Sequence, residues 1–250
     1  MTELRGATVL LTGASSGIGE ATARTLAGRG ARLLLTGRDE ARLAAAAEGL
    51  DARRLAADLA DEAAPAALAA WALREGPPRV VVHNAGAGLA APLADTTPEQ
   101  VERLWRVNVT APIALTRSLL PALQEQGGGH LVFVTSIAGL LGVPRESVYA
   151  ASKAALQVFA RSVSAELART GTVVTTIAPG VVATPFFERR GEPYERRFPR
   201  PMPPERVAAA IADAVVANRA EVVLPRWLRL PVWLEATAPD LYHRLARRWA

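Results

Sequence analysis

The stretch Thr8-Val9-Leu10-Leu11-Thr12-Gly13-Ala14-Ser15-Ser16-Gly17-Ile18-Gly19 decides the fold of this chain. Thr8 to Thr12 is a short run of leucine and β-branched residues, and Glu20 to Arg29 carries a helical pattern, so the stretch reads strand, glycine loop, helix. Gly13, Gly17 and Gly19 stand where such a loop must turn tightly, bring its backbone close to a pyrophosphate and let the helix start near the sheet.

The same alternation continues outward. Strands are expected at Arg32–Thr36, Arg53–Ala57, Val80–His83, His130–Thr135, Thr172–Ile177 and Glu221–Leu224. Between them, helices are expected at Ala41–Leu50, Ala63–Arg74, Pro98–Leu123, Val148–Arg169 and Glu205–Asn218, with Thr97 as N-cap of the Pro98 helix. Near-continuously apolar strands separated by helices specify an α/β fold, a single-domain Rossmann-type doubly wound parallel sheet with helices on both faces. Residues 1–225 form the expected dinucleotide-binding catalytic domain. Residues 181–204, rich in proline and arginine, are expected to be a lid within it, because long loops are usually functional.

Composition narrows the chemistry. The 250 residues contain no cysteine, which removes thiolate nucleophiles, disulfides and cysteine zinc sites. His83, His130 and His243 are scattered, and no metal site is expected. The net charge is +5, but the arginines are dispersed without a nucleic-acid motif, so no nucleic-acid partner is expected. No signal peptide or apolar membrane-spanning run is visible, and the expected location is the cytoplasm. Of 29 basic residues only one, Lys153, is lysine.

Thr12-Gly13-Ala14-Ser15-Ser16-Gly17-Ile18-Gly19 resembles the Thr-Gly-x-x-x-Gly-x-Gly fingerprint of the short-chain dehydrogenase/reductase family. The resemblance continues through Asp58, Asn84-Ala85-Gly86, Asn108, Ser136, Tyr149, Lys153 and Pro179-Gly180, and so covers roughly residues 5–225. It implies that Asp58 contacts the adenine and that Asn84 braces the fourth strand. It also implies that the Ile18 backbone, Gly180, Val182 and Thr184 hold the pyrophosphate and nicotinamide end. A carboxylate ending the second strand would grip ribose hydroxyls, but Thr36-Gly37-Arg38 stands there and the first acid is Asp39. Arg38 can pair with a 2′-phosphate, with Ser15 and Ser16 as added hydroxyl donors, so NADP(H) is favoured over NAD(H).

Tyr149 and Lys153 lie four apart on one helical face. A tyrosine with a pKa near ~10 needs help to act as an acid/base at neutral pH, and a nearby ammonium is expected to lower that pKa. Ser136, at a strand end, can bond a substrate carbonyl and share its developing charge. Asn108 falls mid-helix, where a buried amide is unfavourable unless used. In the resembled family it distorts the helix and holds a water that relays protons to the lysine.

The expected function is NADPH-dependent reduction of a ketone or aldehyde, or the reverse oxidation of a secondary alcohol, on a lipophilic small molecule. A 3-oxoacyl thioester reductase is the enzymatic alternative, and a non-catalytic NADP-binding sensor or scaffold is the alternative from another class. Phe186, Phe187, Tyr194, Phe198 and Met202 in the lid suggest apolar walls, while Arg189, Arg190, Arg196, Arg197 and Arg200 read as solvated rather than as an anion site. Residues 226–250, with Trp227, Trp233 and Trp249 among Arg226, Arg229, Arg244, Arg247 and Arg248, form a tail expected to pack on the domain, on a subunit or, less favoured, on a membrane surface. The resemblance further implies a homo-dimer or homo-tetramer.

Overall fold

The computed structural model describes residues 2–195 and 197–246. The strands are β1 (Thr8–Thr12), β2 (Arg32–Gly37), β3 (Ala52–Ala56), β4 (Val80–His83), β5 (His130–Val134), β6 (Val173–Pro179) and β7 (Glu221–Leu224). They form one 7-stranded sheet in the order β3-β2-β1-β4-β5-β6-β7. Every pairing is parallel. The chain reverses its direction of winding between β1 and β4, and ligand crevices form beyond the strand ends at such a switch point.

Helices cover both faces. Those before β5 are α1 (Gly17–Gly28), α2 (Glu40–Ala47), α3 (Ala64–Glu75), α4 (Pro98–Trp105) and α5 (Ala111–Glu125). After β5 come α6 (Ala138–Leu141), α7 (Ser147–Glu166), α8 (Phe186–Arg189), α9 (Pro204–Val216), α10 (Arg229–Thr237) and α11 (Pro239–Ala246). Alternate residues of each strand feed two cores. Val9, Leu11, Leu33 and Val82 pack with Leu26, Leu43 and Ile211 from α1, α2 and α9. Leu10, Leu34, Val81 and Phe133 pack with Leu68, Leu119 and Leu156 from α3, α5 and α7. Both faces being apolar explains why the strands read as unbroken hydrophobic runs.

The helix expected over Pro98–Leu123 is broken. A π-turn, Arg106–Thr110, separates α4 from α5. Pro112 has no N–H for the carbonyl four residues back, that of Asn108, so an α-turn cannot close there. The Ala111 N–H instead reaches the Arg106 carbonyl, five residues back. Helix α6 had no periodic signal because it is a single turn.

The lid is held at both ends of its loop. Val182 bridges Met202, with Ala183 N donating to the Met202 carbonyl at 2.8 Å and Met202 N to the Val181 carbonyl at 2.9 Å. In the tail, Leu228 is buried against Ala178 and Val223. Trp227 stacks on Phe198 of the lid at 5.3 Å. The start of the tail thus packs on its own domain, while Leu230, Trp233, Leu241 and Leu245 farther along are exposed. Arg196, Arg247, Arg248 and Trp249 lie outside the described residues. Among the described residues, no helix is long and apolar enough to cross a membrane.

Candidate active site

Thr12, closing β1, organises the switch point. Its hydroxyl accepts from Asn84 N at 3.1 Å and Ala85 N at 3.0 Å, and donates to the Val82 carbonyl at 3.3 Å. The Asn84 amide donates to the Thr12 and Gly13 carbonyls at 3.0 and 3.1 Å. Asn84 is thus a brace between β1 and β4.

The glycines are required by contact. A Cβ on Gly19 would lie 1.9 Å from the Gly13 carbonyl oxygen, and one on Gly13, at φ +68, would lie 2.7 Å from Ala85 Cα. A Cβ on Gly17, at φ +57, would lie 2.8 Å from Thr184 Cγ2, so the segment after β6 packs against the glycine loop. The loop opens into a cleft of about 1910 Å³ that is lined by Gly13, Ser15, Ser16, Gly17, Ile18 and Gly19 at one end and by Ser136, Tyr149 and Lys153 at the other. A pocket for one small ligand is roughly 300–1,000 Å³. The cleft has room for a dinucleotide beside a second molecule, and its loop has the shape that close backbone approach demands. Ala85, Gly86, Pro179, Gly180, Val182 and Thr184 also line it.

The end nearest β2 is basic. Arg38, Arg42 and Arg189 all line this end, with Asp39 and Asp58. Asp39 is occupied as the N-cap of α2, accepting from Arg42 N at 2.9 Å and pairing with the Arg42 guanidinium at 2.9 Å. Those bonds hold its carboxyl below the usual range. Asp58 accepts from Ala60 N at 3.0 Å and from Arg103 at 2.8 Å. Burial pushes the Asp58 carboxyl up, but the Arg103 and Ala60 bonds prevail and its pKa falls.

At the other end, Tyr149 and Lys153 share one face of α7, and both are buried. Ser136, beyond the end of β5, stands beside the Tyr149 phenol, whose ionised form it favours, and accepts from Ala138 N at 3.1 Å. The Lys153 ammonium donates to the Val134 carbonyl at 3.0 Å. Asn108, wholly buried in the π-turn, clamps Ala87: its Oδ1 accepts from Ala87 N at 2.8 Å and its Nδ2 donates to the Ala87 carbonyl at 2.9 Å. The same Nδ2 donates to Ser152 Oγ at 3.0 Å, next to Lys153 in sequence. Gly86 fits between Asn108 and Lys153, for a Cβ there would lie 3.2 Å from Lys153 Nζ and 3.5 Å from Asn108 Oδ1.

The expected lowering of the tyrosine pKa is corrected. Burial dominates, Ser136 offsets part of it, and Tyr149 is pushed up to about 12. Burial pulls Lys153 down to about 8. For both groups, taking the charged form out of water outweighs every other influence.

The lid makes contacts that the sequence did not assign. Arg190, expected to be solvated, is buried and pairs with Glu146, and its guanidinium lies 4.5 Å above the Phe187 ring. Arg189 donates to Ser16 Oγ at 3.2 Å. Phe186 sits 5.5 Å from the Tyr149 ring. Arg189, Arg197 and Arg200 are exposed, as expected. Only the Pro-Arg-rich composition hinted at these contacts, since Glu146, Ser16 and Tyr149 are far away in sequence.

Residues 7–195 match the family model described as short chain dehydrogenase. A Bos taurus protein named dehydrogenase/reductase SDR family member 7B is 34% identical over 262 residues, covering 97% of this chain and 81% of that protein. A short-chain dehydrogenase from Sphingobium yanoikuyae, solved in complex with NADPH, superposes with a TM-score of 0.84 at 28% identity over 97% of this chain and 95% of that one. A short chain dehydrogenase/reductase from Burkholderia phymatum, solved in complex with NAD, gives 0.87 at 25% identity over 96% of each chain.

Proposed function

This chain belongs to the short chain dehydrogenase family of oxidoreductases, and from that premise we propose that it reduces a lipophilic ketone or aldehyde with NADPH and oxidises the corresponding alcohol in reverse. The observation that carries the reading is the buried Ser136–Tyr149 pair, which faces the same cleft as the glycine loop. The nicotinamide dinucleotide, when bound, supplies the hydride that reaches the carbonyl carbon.

The chain's own residues handle the proton. Tyr149, kept protonated by burial, gives the phenolic proton to the substrate oxygen, and Ser136 orients that oxygen and shares its charge. Lys153 has one N–H engaged by Val134 and others to offer a ribose, and as an ammonium it holds the proton that replaces the one lost by Tyr149. Asn108 positions this pair: its side chain fastens Ala87 and Ser152, and its carbonyl, which Pro112 cannot serve, is a site for a relaying water. The glycine loop, Pro179, Gly180, Val182 and Thr184 hold the diphosphate and nicotinamide. Asp58 stands at the adenine end.

NADPH is preferred because Asp39 is committed to capping α2 and to Arg42, while Arg38 lines the cleft beside it. A lipophilic substrate follows from the walls beyond Tyr149, formed by Leu89, Leu104, Val143, Phe186, Trp227 and Leu234. The tail, residues 226–246, helps to close this apolar end and acts as part of the substrate site.

Tyr149→Phe tests the assignment. NADPH oxidation with a series of ketones of graded chain length should fall by roughly 10²–10⁴-fold, the range for a lost general acid, while NADPH binding is retained. Near-normal turnover by this variant would overturn the role of Tyr149.

A further inference from the structure

The basic end of the cleft contains a residue from the wrong side of the molecule. Arg38 and Arg42 follow β2, beside the glycine loop, as expected for groups that meet the adenosine end of a dinucleotide. Arg189 does not. It ends α8, the short helix of the lid, which on its other side carries Phe186 against Tyr149. Yet its guanidinium donates to Ser16 Oγ at 3.2 Å, within the glycine loop, 173 residues away in sequence. Partial desolvation and the guanidinium groups of Arg42 and Arg38 disfavour the charge of this exposed side chain, while Glu188 and Asp39 act the other way.

Arg38, Arg42 and Arg189 line the same end of the cleft, and the acid beside them is already used. Asp39 pairs with Arg42 and caps α2. Asp58, the next carboxylate, pairs with Arg103. Such a cluster lowers its own energy by taking up a dianion, and a planar guanidinium matches phosphate oxygens in a two-pronged bond.

We propose that Arg189 reads the cofactor's 2′-phosphate together with Arg38 and Arg42, so that the phosphate at one end of the cleft holds down the substrate lid at the other. This rests on the NADPH reading above and adds to it a specificity residue carried by the lid. The lid closes over a phosphorylated dinucleotide and stays looser over the unphosphorylated one, because Arg189 gains a partner only in the first case. The recognition of cofactor and the enclosure of substrate become one event.

The test uses 2′,5′-ADP and 5′-ADP, which carry the adenosine end without nicotinamide or hydride. Calorimetry measures their affinities for the full chain, for Arg189→Gln and for Arg200→Gln, an exposed lid arginine outside the cleft. Chymotrypsin, which cuts after Phe186, Phe187 and Tyr194, measures lid closure in parallel. In the wild type, 2′,5′-ADP should bind more tightly than 5′-ADP and slow lid cleavage several-fold. Arg189→Gln should lose on the order of ten-fold in 2′,5′-ADP affinity, a normal loss for one charge-assisted phosphate contact, together with the protection. It should leave 5′-ADP affinity unchanged, and Arg200→Gln should match the wild type. Equal wild-type affinity for the two nucleotides would overturn the NADPH reading and this inference with it. Tighter binding of 2′,5′-ADP that Arg189→Gln leaves intact, or a lid equally open to protease with either nucleotide, would overturn this inference alone.

Discussion

Arg190, at the end of the lid helix, forms an ion pair with Glu146, three residues before Tyr149, and the two side chains are only 9% and 14% exposed. The pair ties the lid to the start of the catalytic helix. Arg190 adds a bond from its Nε to the Glu192 carbonyl at 3.1 Å, and its own carbonyl accepts from Ala90 N at 2.9 Å. Removing one member of a buried pair leaves the other charge stranded, at a cost of about 3–5 kcal/mol. Arg190→Leu should therefore open the lid, raising KM for the ketone and the rate of chymotryptic cleavage by about ten-fold or more. The double variant Glu146→Leu/Arg190→Leu should recover much of the lost thermal stability. A single variant with wild-type KM and protease resistance would show that the pair does not fasten the lid.

The pKa values of Tyr149 and Lys153 set the pH profile of reduction. With Tyr149 up at about 12 and Lys153 down at about 8, Lys153 is the first to lose its proton as pH rises. If the ammonium refills the phenol, kcat for ketone reduction should be level below pH 8 and fall by up to ten-fold per unit above it. Lys153→Met should be slow at every pH and lack this limb. An unchanged profile in Lys153→Met would remove the lysine from the proton path.

Two glycines on the β4–α4 connection should separate turnover from binding. A methyl at Gly86 would crowd Lys153 Nζ at 3.2 Å, whereas one at Gly88 would meet Phe186 Cζ at 2.5 Å and Arg190 Cβ at 2.9 Å. Gly86→Ala should lower kcat several-fold with little change in KM, and Gly88→Ala should raise KM by displacing the lid. Steady-state kinetics of both variants check the split, and the reverse pattern would misplace both residues.

Two buried histidines should make the fold sensitive to mild acid. Burial lowers His83 from 6.5 to about 3 and His130 from 6.5 to about 4. His83 stacks on Phe133 and bonds Thr116 at 3.0 Å, and His130 bonds Thr175 at 2.7 Å. The unfolded chain therefore binds these protons first, so the stabilisation is full above 6.5 and is lost as pH falls toward the folded values. Urea midpoints should drop between about pH 7.5 and about pH 5, a window in which carboxylates stay ionised. The drop should be smaller in His83→Gln/His130→Gln. An equal drop in that variant would place the acid sensitivity elsewhere.

Sequence alone determined the parts of this protein that local rules govern. Strand and helix periods, the Gly13–Gly19 loop and the four-residue spacing of Tyr149 and Lys153 lie within windows of a few residues, where backbone geometry fixes what side chains can face. The doubly wound sheet followed from their order, and all four expected catalytic residues line or support one cleft. The break at Asn108 was also written locally, in Pro112, but a run of helix formers on both sides masked it. Tertiary structure alone decided what the polar groups bond to. Asn84 is spent on bracing β1 to β4, and Arg190 on Glu146, although composition had suggested a solvated arginine. It also set the protonation of the catalytic pair, since adjacency in a helix favours a lowered tyrosine pKa but burial raises it. The reason is common to these cases: a charge or amide has several partners within reach in a sequence, and only packing chooses which one is close and how much water remains.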